Sequence, residues 1–279
     1  MQRLVESRFV RPIAASINRL PLPYARLPVQ VRGHRMFAHS LDRYLALWLW
    51  KLALHEATEA RLLASLCKPG MCVVDVGANI GFYSLLFARW VGPTGNVCAF
   101  EPDPKNFATL QGNLSANRCL NVRAVNSAVG ATSAEGHLYL SDVHKGDHRV
   151  YQSDGGRKEI PIRIVALDDY FASDQRIDLV KMDIQGAEGM ALAGMQRVIT
   201  SNPDLAMLFE FWPRGLRNAG SSPEGILTDL QEKGFTIEQI DERSGELVEL
   251  ENVDGLVKSL PGDRYTNLLA KHRMVKASI

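Results

Sequence analysis

The sequence predicts a doubly wound α/β fold built on a mainly parallel sheet, and three observations carry that prediction. From residue 71 onward, short apolar runs alternate with segments whose apolar residues recur at helical spacing, the signature of strands crossed over by helices. The first of these strands runs straight into a glycine-bearing turn, 77–81, that opens a helix. Hydrophobic residues make up 46% and charged residues 23% of 279, enough for one large buried core and outside the range of disordered or fibrous chains.

The elements follow in order. Residues 1–40 form a basic N-terminal extension in which Pro12, Pro21, Pro23 and Pro28 predict an irregular lead-in. The main domain is assigned to 41–279. A helix is expected over 41–66, with Leu45, Trp48, Leu49 and Leu52 on one face and Lys68-Pro69-Gly70 as its stop. Then come a strand over 72–76, a helix over 80–90, a strand over 96–100, a helix over 105–117 and a strand over 121–128. Between Gly130 and Leu167 the rhythm breaks: strands over 137–140 and 160–165 enclose a polar loop, read as a β-hairpin inserted into the α/β layer. It resumes with a strand at 179–182, a helix at 187–200, a strand at 205–211 and a helix at 223–233. Strands at 235–240 and 265–270 finish the chain.

Charge and cysteine usage narrow the function classes. Lys+Arg number 32 and Asp+Glu 31, a net +1 that gives no electrostatic case for nucleic acid. Residues 1–35 nevertheless hold seven arginines and one acid, net +6, leaving −5 for the rest. Such an arm reads first as a solvated extension packed on the main domain, and second as a peripheral contact with an anionic surface. Four cysteines in no CxxC or CxxH spacing argue against a structural zinc site or a disulfide framework and fit a reducing cytoplasm. The longest apolar stretch, 44–54, is interrupted by Lys51 and is about half of the ~20 residues that a membrane-spanning helix needs.

Ligands of doubly wound sheets bind beyond the carboxyl ends of the strands, at the switch point. There the chain reads Asp75-Val76-Gly77-Ala78-Asn79-Ile80-Gly81, with Glu101 twenty-four residues after Gly77 at the end of the next strand. Gly77 permits a tight turn and close ligand approach, Gly81 lets the helix pack near the strand, and Glu101 is placed to accept ribose hydroxyls. A dinucleotide site wants glycine where Asn79 stands, so that pyrophosphate reaches the helix N-terminus. S-adenosylmethionine (SAM), which has no phosphate and carries positive charge, suits this turn and its Asp75 better than NAD.

Several ordered motifs carry a resemblance. The segment 73–84, Phe100-Glu101-Pro102 with Asn106 and Asn113-Leu114, Ala128-Val129-Gly130, Leu167-Asp168-Asp169-Tyr170 and the segment 178–188 (Asp-Leu-Val-Lys-Met-Asp-Ile-Gln-Gly-Ala-Glu) together resemble the FkbM family of SAM-dependent methyltransferases across about residues 55–272. Residue 185 is Gln where many members carry Glu, so no acid role is given to it. The resemblance implies a class I Rossmann-like fold with a seven-stranded sheet ending in an antiparallel hairpin. It also implies methyl transfer, most often to a hydroxyl on a saccharide, glycan or glycosylated natural product. Amide N-methylation of a peptide and a non-catalytic binding module of the same fold are the rival readings.

On that basis Asp75, Gly77, Asn79 and Gly81 are expected at the methionine end of SAM, Glu101 at the ribose, and Ser127 and Ala128 at the adenine through backbone contacts, with Pro102 also among the cofactor-binding residues. Asp183, at the end of its strand, would orient the acceptor hydroxyl, take its proton, or hold the cofactor's amino group. Glu188 is equally a helix N-terminal acid or a site residue. Glu210, an acid amid Leu208, Phe209, Phe211 and Trp212, is a site candidate because burying it alone is costly. In the loop 141–149, two histidines and two aspartates reach no spacing that demands a metal, and none is assigned. His148 is the expected general base, being able to take a proton near neutral pH, with Arg149 facing the acceptor.

Overall fold

The structure, a computed structural model, describes residues 29–37, 57–141, 148–152, 156–241 and 244–272. The expected helix over 41–66 is seen in its described part as α1 (Ala57–Leu66); residues 41–56 lie outside the described residues.

The alternation read from the sequence is present: β3 (Cys72–Val76), α2 (Phe82–Val91), β4 (Asn96–Phe100), α3 (Pro104–Ala116), β5 (Val122–Val125), β9 (Leu179–Met182) and β10 (Ala206–Phe211). β3, β4, β5, β9 and β10 are mutually parallel, whereas β13 (Thr266–His272) runs antiparallel between β10 and β11 (Phe235–Ile240). With β12 (Leu247–Glu249) at one edge, the order β12-β11-β13-β10-β9-β3-β4-β5 places the switch point between β3 and β9. Successive residues on each strand serve opposite cores. Val74, Val76, Val180, Met182, Met207 and Phe209 pack on one face of the sheet, and Val73, Leu179, Ala206 and Leu208 on the other.

The strand count corrects the expectation of seven. The eighth strand, β12 (Leu247–Glu249), is a three-residue edge piece that pairs with β11, the return being held by the Gly245 N–H on the Asp241 carbonyl and the Asp241 N–H on the Glu246 carbonyl. It carries no apolar alternation by which to read it. The inserted hairpin, β7 (Ala134–Leu140) and β8 (Lys158–Val165), belongs to a separate three-stranded sheet. Its third member is β6 (Ala128–Val129), cut from what reads as one strand over 121–128. The cut falls at Asn126, whose side-chain amide donates to the carbonyls of Glu101 (2.8 Å) and Pro102 (3.1 Å) and turns the chain out of the main sheet.

Three more local readings are corrected. The helix expected over 187–200 is two, α5 (Glu188–Ala193) and α6 (Gln196–Ser201). Asp168, at the start of α4 (Leu167–Tyr170), caps the second by accepting from the N–H groups of Arg197 and Val198. Residues 213–218, left without an element between the strand expected at 205–211 and the helix expected at 223–233, form α7 (Pro213–Asn218), with proline supplying a helical φ in its first turn. α8 (Pro223–Glu232) lies as expected, and α9 (Val253–Ser259), which the sequence reading lacks, is capped by Asn252.

The extension is not irregular at its described end. β1 (Val29–Val31) and β2 (His34–Met36) make a hairpin that docks on α3. Asn117 exchanges two hydrogen bonds with the backbone of Arg35, and Asn113 does the same with Phe37 while also donating to the carbonyl of Ile80 at 2.7 Å. Among the described residues no helix is long and apolar enough to cross a membrane.

Candidate active site

One face of the sheet changes character at its carboxyl rim. The positions that carry Val73, Leu179, Leu208 and Leu269 into the core carry Asp75, Lys181, Glu210 and Asn267 two residues along their strands. Asp75 stands opposite Lys181 on β3–β9, and Glu210 opposite Asn267 on β10–β13. Helices α1 and α2 cover this rim and add Glu59 and Tyr83. The Lys181 ammonium lies 4.6 Å above the Tyr83 ring and 3.5 Å from Asp183 Oδ2. Glu59 Oε2 accepts from Asn267 Nδ2 at 3.2 Å, and Tyr83 works to lower the Glu59 pKa.

Four carboxylates therefore share one buried ammonium. Burial pushes Asp75 and Glu59 above the usual carboxylate range, with Lys181 opposing and Asp183 adding to the rise in both. Burial, then the charges of Asp183 and Glu188, hold Glu210 well above it. Asp75 is wholly buried; its Oδ2 accepts from Ser84 Oγ at 2.6 Å, while Oδ1 is buried with no hydrogen-bond partner. Asp183 differs, with 46% of its side chain exposed.

Two turns frame this cluster. Gly77 has φ 82°, and a Cβ there would overlap the carbonyl oxygen of Asp183. The close approach that requires glycine is thus made by the chain's own β9 turn. Gly81, at φ 94°, clears the Leu110 side chain of α3 and so allows helix against helix, not helix against strand. Asn79 also takes a left-handed φ of 52° and presents its N–H to Glu101 Oε2 at 2.8 Å. Glu101 Oε1 accepts from the Asp103 N–H at 2.9 Å and from Asn106 at 3.5 Å. A carboxylate has about four lone-pair sites, so one remains on Oε2 for a hydroxyl. Burial raises the Glu101 pKa to about 7 against these donors.

The second turn follows β9. Gln185, at φ 56°, donates from Nε2 to Asp183 Oδ1 (2.9 Å) and Glu210 Oε1 (3.4 Å), tying the two carboxylates together. Its carbonyl accepts from Tyr151 Oη at 2.8 Å, which anchors the small sheet's end beside the site. Glu188 is a local cap: its two oxygens accept from the N–H groups of Ile184 and Gly186, and burial raises its pKa to about 7.

His148 is placed otherwise than as an acceptor-facing base. Nδ1 accepts from the Ser141 N–H at 3.0 Å and Nε2 lies 3.0 Å from Asp103 Oδ2, so both nitrogens are engaged at the start of α3. Burial works to raise Asp103, but hydrogen bonds from His148 and the Lys105 N–H hold it below the usual range. Arg149 stacks 4.8 Å over the Trp212 ring, next to α7. Pro102, Ser127 and Ala128 line the exit of β4 and the corner into β6, where Ser127 Oγ donates to the Asn126 carbonyl. Residues 142–147 of the loop considered for a metal lie outside the described residues.

Sequence reading missed Lys181, Tyr83, Glu59 and Gln185 as site members. A lysine inside the apolar run Leu179–Met182, at the same parity as Asp75, is the signal that points to Lys181. The site as a whole suits a cation: one ammonium against four acids, an unpartnered buried carboxylate oxygen, and a turn whose N–H groups at Gly77, Ala78, Asn79 and Gly81 are all taken by the chain's own carbonyl and carboxylate oxygens. SAM, with a sulfonium and an α-ammonium group, fits those acceptors and charges.

Comparison with known proteins agrees. A model of the methyltransferase FkbM domain matches residues 75–237. The chain is 28% identical over 201 residues to methyltransferase sdnD of Sordaria araneosa, covering 59% of this chain and 73% of that protein. It is 30% identical over 159 residues to the 31-O-demethyl-FK506 methyltransferase FkbM of Streptomyces tacrolimicus, covering 46% and 61%. A third relative, Methyltransferase 1 of Beauveria bassiana (strain ARSEF 2860), is 26% identical over 144 residues, covering 44% and 57%. The chain thus spans less than two thirds of two of these three relatives.

Proposed function

This chain belongs to the FkbM family of SAM-dependent methyltransferases, and we propose that it methylates a hydroxyl group of a saccharide, glycan or glycosylated natural product. The observation that supports this reading is the pairing of Asp183 with Glu210 through Gln185 at the ends of β9 and β10. A hydroxyl is a poor nucleophile until its proton leaves, and a buried carboxylate with a raised pKa is a stronger base than an exposed one. SAM supplies an electrophilic methyl on a sulfonium. Asp183, half-exposed, orients the acceptor hydroxyl, and Glu210 takes its proton. Gln185 keeps both carboxylates in register, and Glu101 receives the ribose. The relative whose name specifies an O-demethyl acceptor is consistent with oxygen as the receiving atom.

The test uses methyl-labelled SAM with two panels, hydroxyl-bearing saccharides and glycosides on one side and peptide amides on the other, read by mass spectrometry. Label on a saccharide oxygen supports the proposal; label on amide nitrogen alone rejects it. Absence of any thermal shift with S-adenosylhomocysteine would remove the enzymatic reading in favour of a binding module.

A further inference from the structure

The stretches 29–37, 76–100 and 104–134 contain no aspartate and no glutamate. They supply the N-terminal hairpin, α2, α3 and the loop into β5, neighbouring elements that together carry Arg32, Arg35, Arg89 and Arg118. We propose that these arginines, with Leu120 among them, form a face that docks on an anionic lipid surface. The docking is separate from methyl transfer and does not depend on the cofactor.

Short contacts join the residues into one patch. A Cβ at Gly33, in the hairpin turn, would lie 3.4 Å from the Arg89 guanidinium on α2. Asn121 donates to the carbonyls of Ala88 and Gly92, at 2.9 Å each, and pins the loop 117–121 to the end of α2 beside Arg89. At the other end of that loop, Asn117 exchanges hydrogen bonds of 2.9 and 2.7 Å with the Arg35 backbone. Arg118 and Leu120 stand between the two anchors. Arg35, Arg89 and Arg118 are exposed and Arg32 is partly buried, its Nε without a hydrogen-bond partner. Among the described residues, no carboxylate pairs with any of the four.

The composition of the patch selects the partner. Leu120 is 97% exposed, more than any other large apolar side chain among the described residues. An aliphatic side chain projecting amid arginines suits a bilayer interface, where the cations meet headgroups and the leucine reaches the acyl boundary. A nucleic-acid face would instead set polar or aromatic side chains among its cations. Residues 1–28 run into this hairpin and add Arg3, Arg8, Arg11, Arg19 and Arg26 against Glu6 alone. The loop 117–121 precedes β5, so the patch lies at the amino end of the parallel strands and docking leaves the cofactor rim clear.

The test is co-sedimentation of the full chain with vesicles of phosphatidylcholine alone, or with about 30% phosphatidylserine, at about 0.15 M salt. Binding to the anionic vesicles and not to the neutral ones is expected. Arg35→Gln combined with Arg89→Gln should weaken it about 20-fold or more, each basic side chain near such a leaflet being worth about fivefold. Leu120→Ser should weaken it about fivefold with the charge unchanged. Both variants are expected to melt close to the parent, which separates docking from folding. Binding to neither vesicle, or equally to both, overturns the proposal. Anionic binding that both variants retain overturns it as well and moves the contact to residues 1–28. So does a nucleic-acid duplex that displaces the vesicles and binds the Leu120→Ser variant as it binds the parent.

Discussion

Asp75 and Lys181 face each other across the parallel pair β3–β9, an acid and a base both buried on a face where the preceding pair, Val73 and Leu179, is pure core. Lys181 also touches Asp183 and the Tyr83 ring, so it is the hub through which the first strand turn and the β9 turn share charge. The arrangement is costly to fold and keeps three more acids than bases at the rim of the sheet. Lys181 offsets part of that excess.

Replacing Lys181 by methionine tests the hub. Methionine fills similar volume but leaves Asp75 and Asp183 without their cation. The expected cost is about 3–5 kcal/mol of stability at neutral pH, the usual penalty for stripping one partner from a buried pair. Burial already lifts Asp75 and Glu59, and without the ammonium both rise further, so the variant should recover stability as pH falls and these acids protonate. Thermal denaturation from pH 5 to pH 8 reads this out; a pH-independent loss would contradict it.

Glu210 as the proton acceptor gives a separate expectation. Glu210→Gln should lower turnover by about 10²–10⁴-fold and leave S-adenosylhomocysteine affinity within a few-fold. Because the parent residue's pKa is raised by burial and by Asp183, turnover should climb with pH through a midpoint well above the ordinary carboxylate range. Loss of that limb in the variant, measured by initial rates with labelled SAM, identifies the group.

The parts of the site that were legible in the sequence are those written locally. Asp75, Gly77, Asn79 and Gly81 sit within seven residues, and Glu101 and Asp183 end strands that their apolar runs announce. What the spacing did not convey is who occupies the space around them. Gly77 reads as clearance for a ligand, yet the carbonyl of Asp183, more than a hundred residues on, fills it. Glu59 looks like a solvated first-turn acid until β13 brings Asn267 to it across 208 residues of chain. β6 and β12 escape notice because two or three residues carry no period.

His148 shows the same limit from the other side: its chemistry suggests a base, and its partners make it a brace. It joins Ser141 at the end of β7 to Asp103, the N-cap of α3. His148→Ala should therefore lower stability by about 1–2 kcal/mol, the worth of a charge-assisted hydrogen bond, with turnover changed only a few-fold at saturating SAM. A drop in turnover of a hundredfold with unchanged SAM affinity would restore it as the base.

Asn113 carries the contact between the N-terminal hairpin and the cofactor turn. Its side chain, fully buried, accepts from the Phe37 N–H at 2.7 Å and donates to the carbonyls of Phe37 and Ile80, so one residue of α3 holds both the extension and the 77–81 turn. Asn113→Ala strands one donor and two acceptors in the interior, each costing about 1–3 kcal/mol when left unmade. Stability is expected to fall by about 3 kcal/mol or more, and amide exchange at Ile80–Gly81 and at Phe37 to rise together, since both lose the same anchor. Exchange that rises at Phe37 alone would show that the turn is held by its own glycines and that the hairpin is only a passenger on α3.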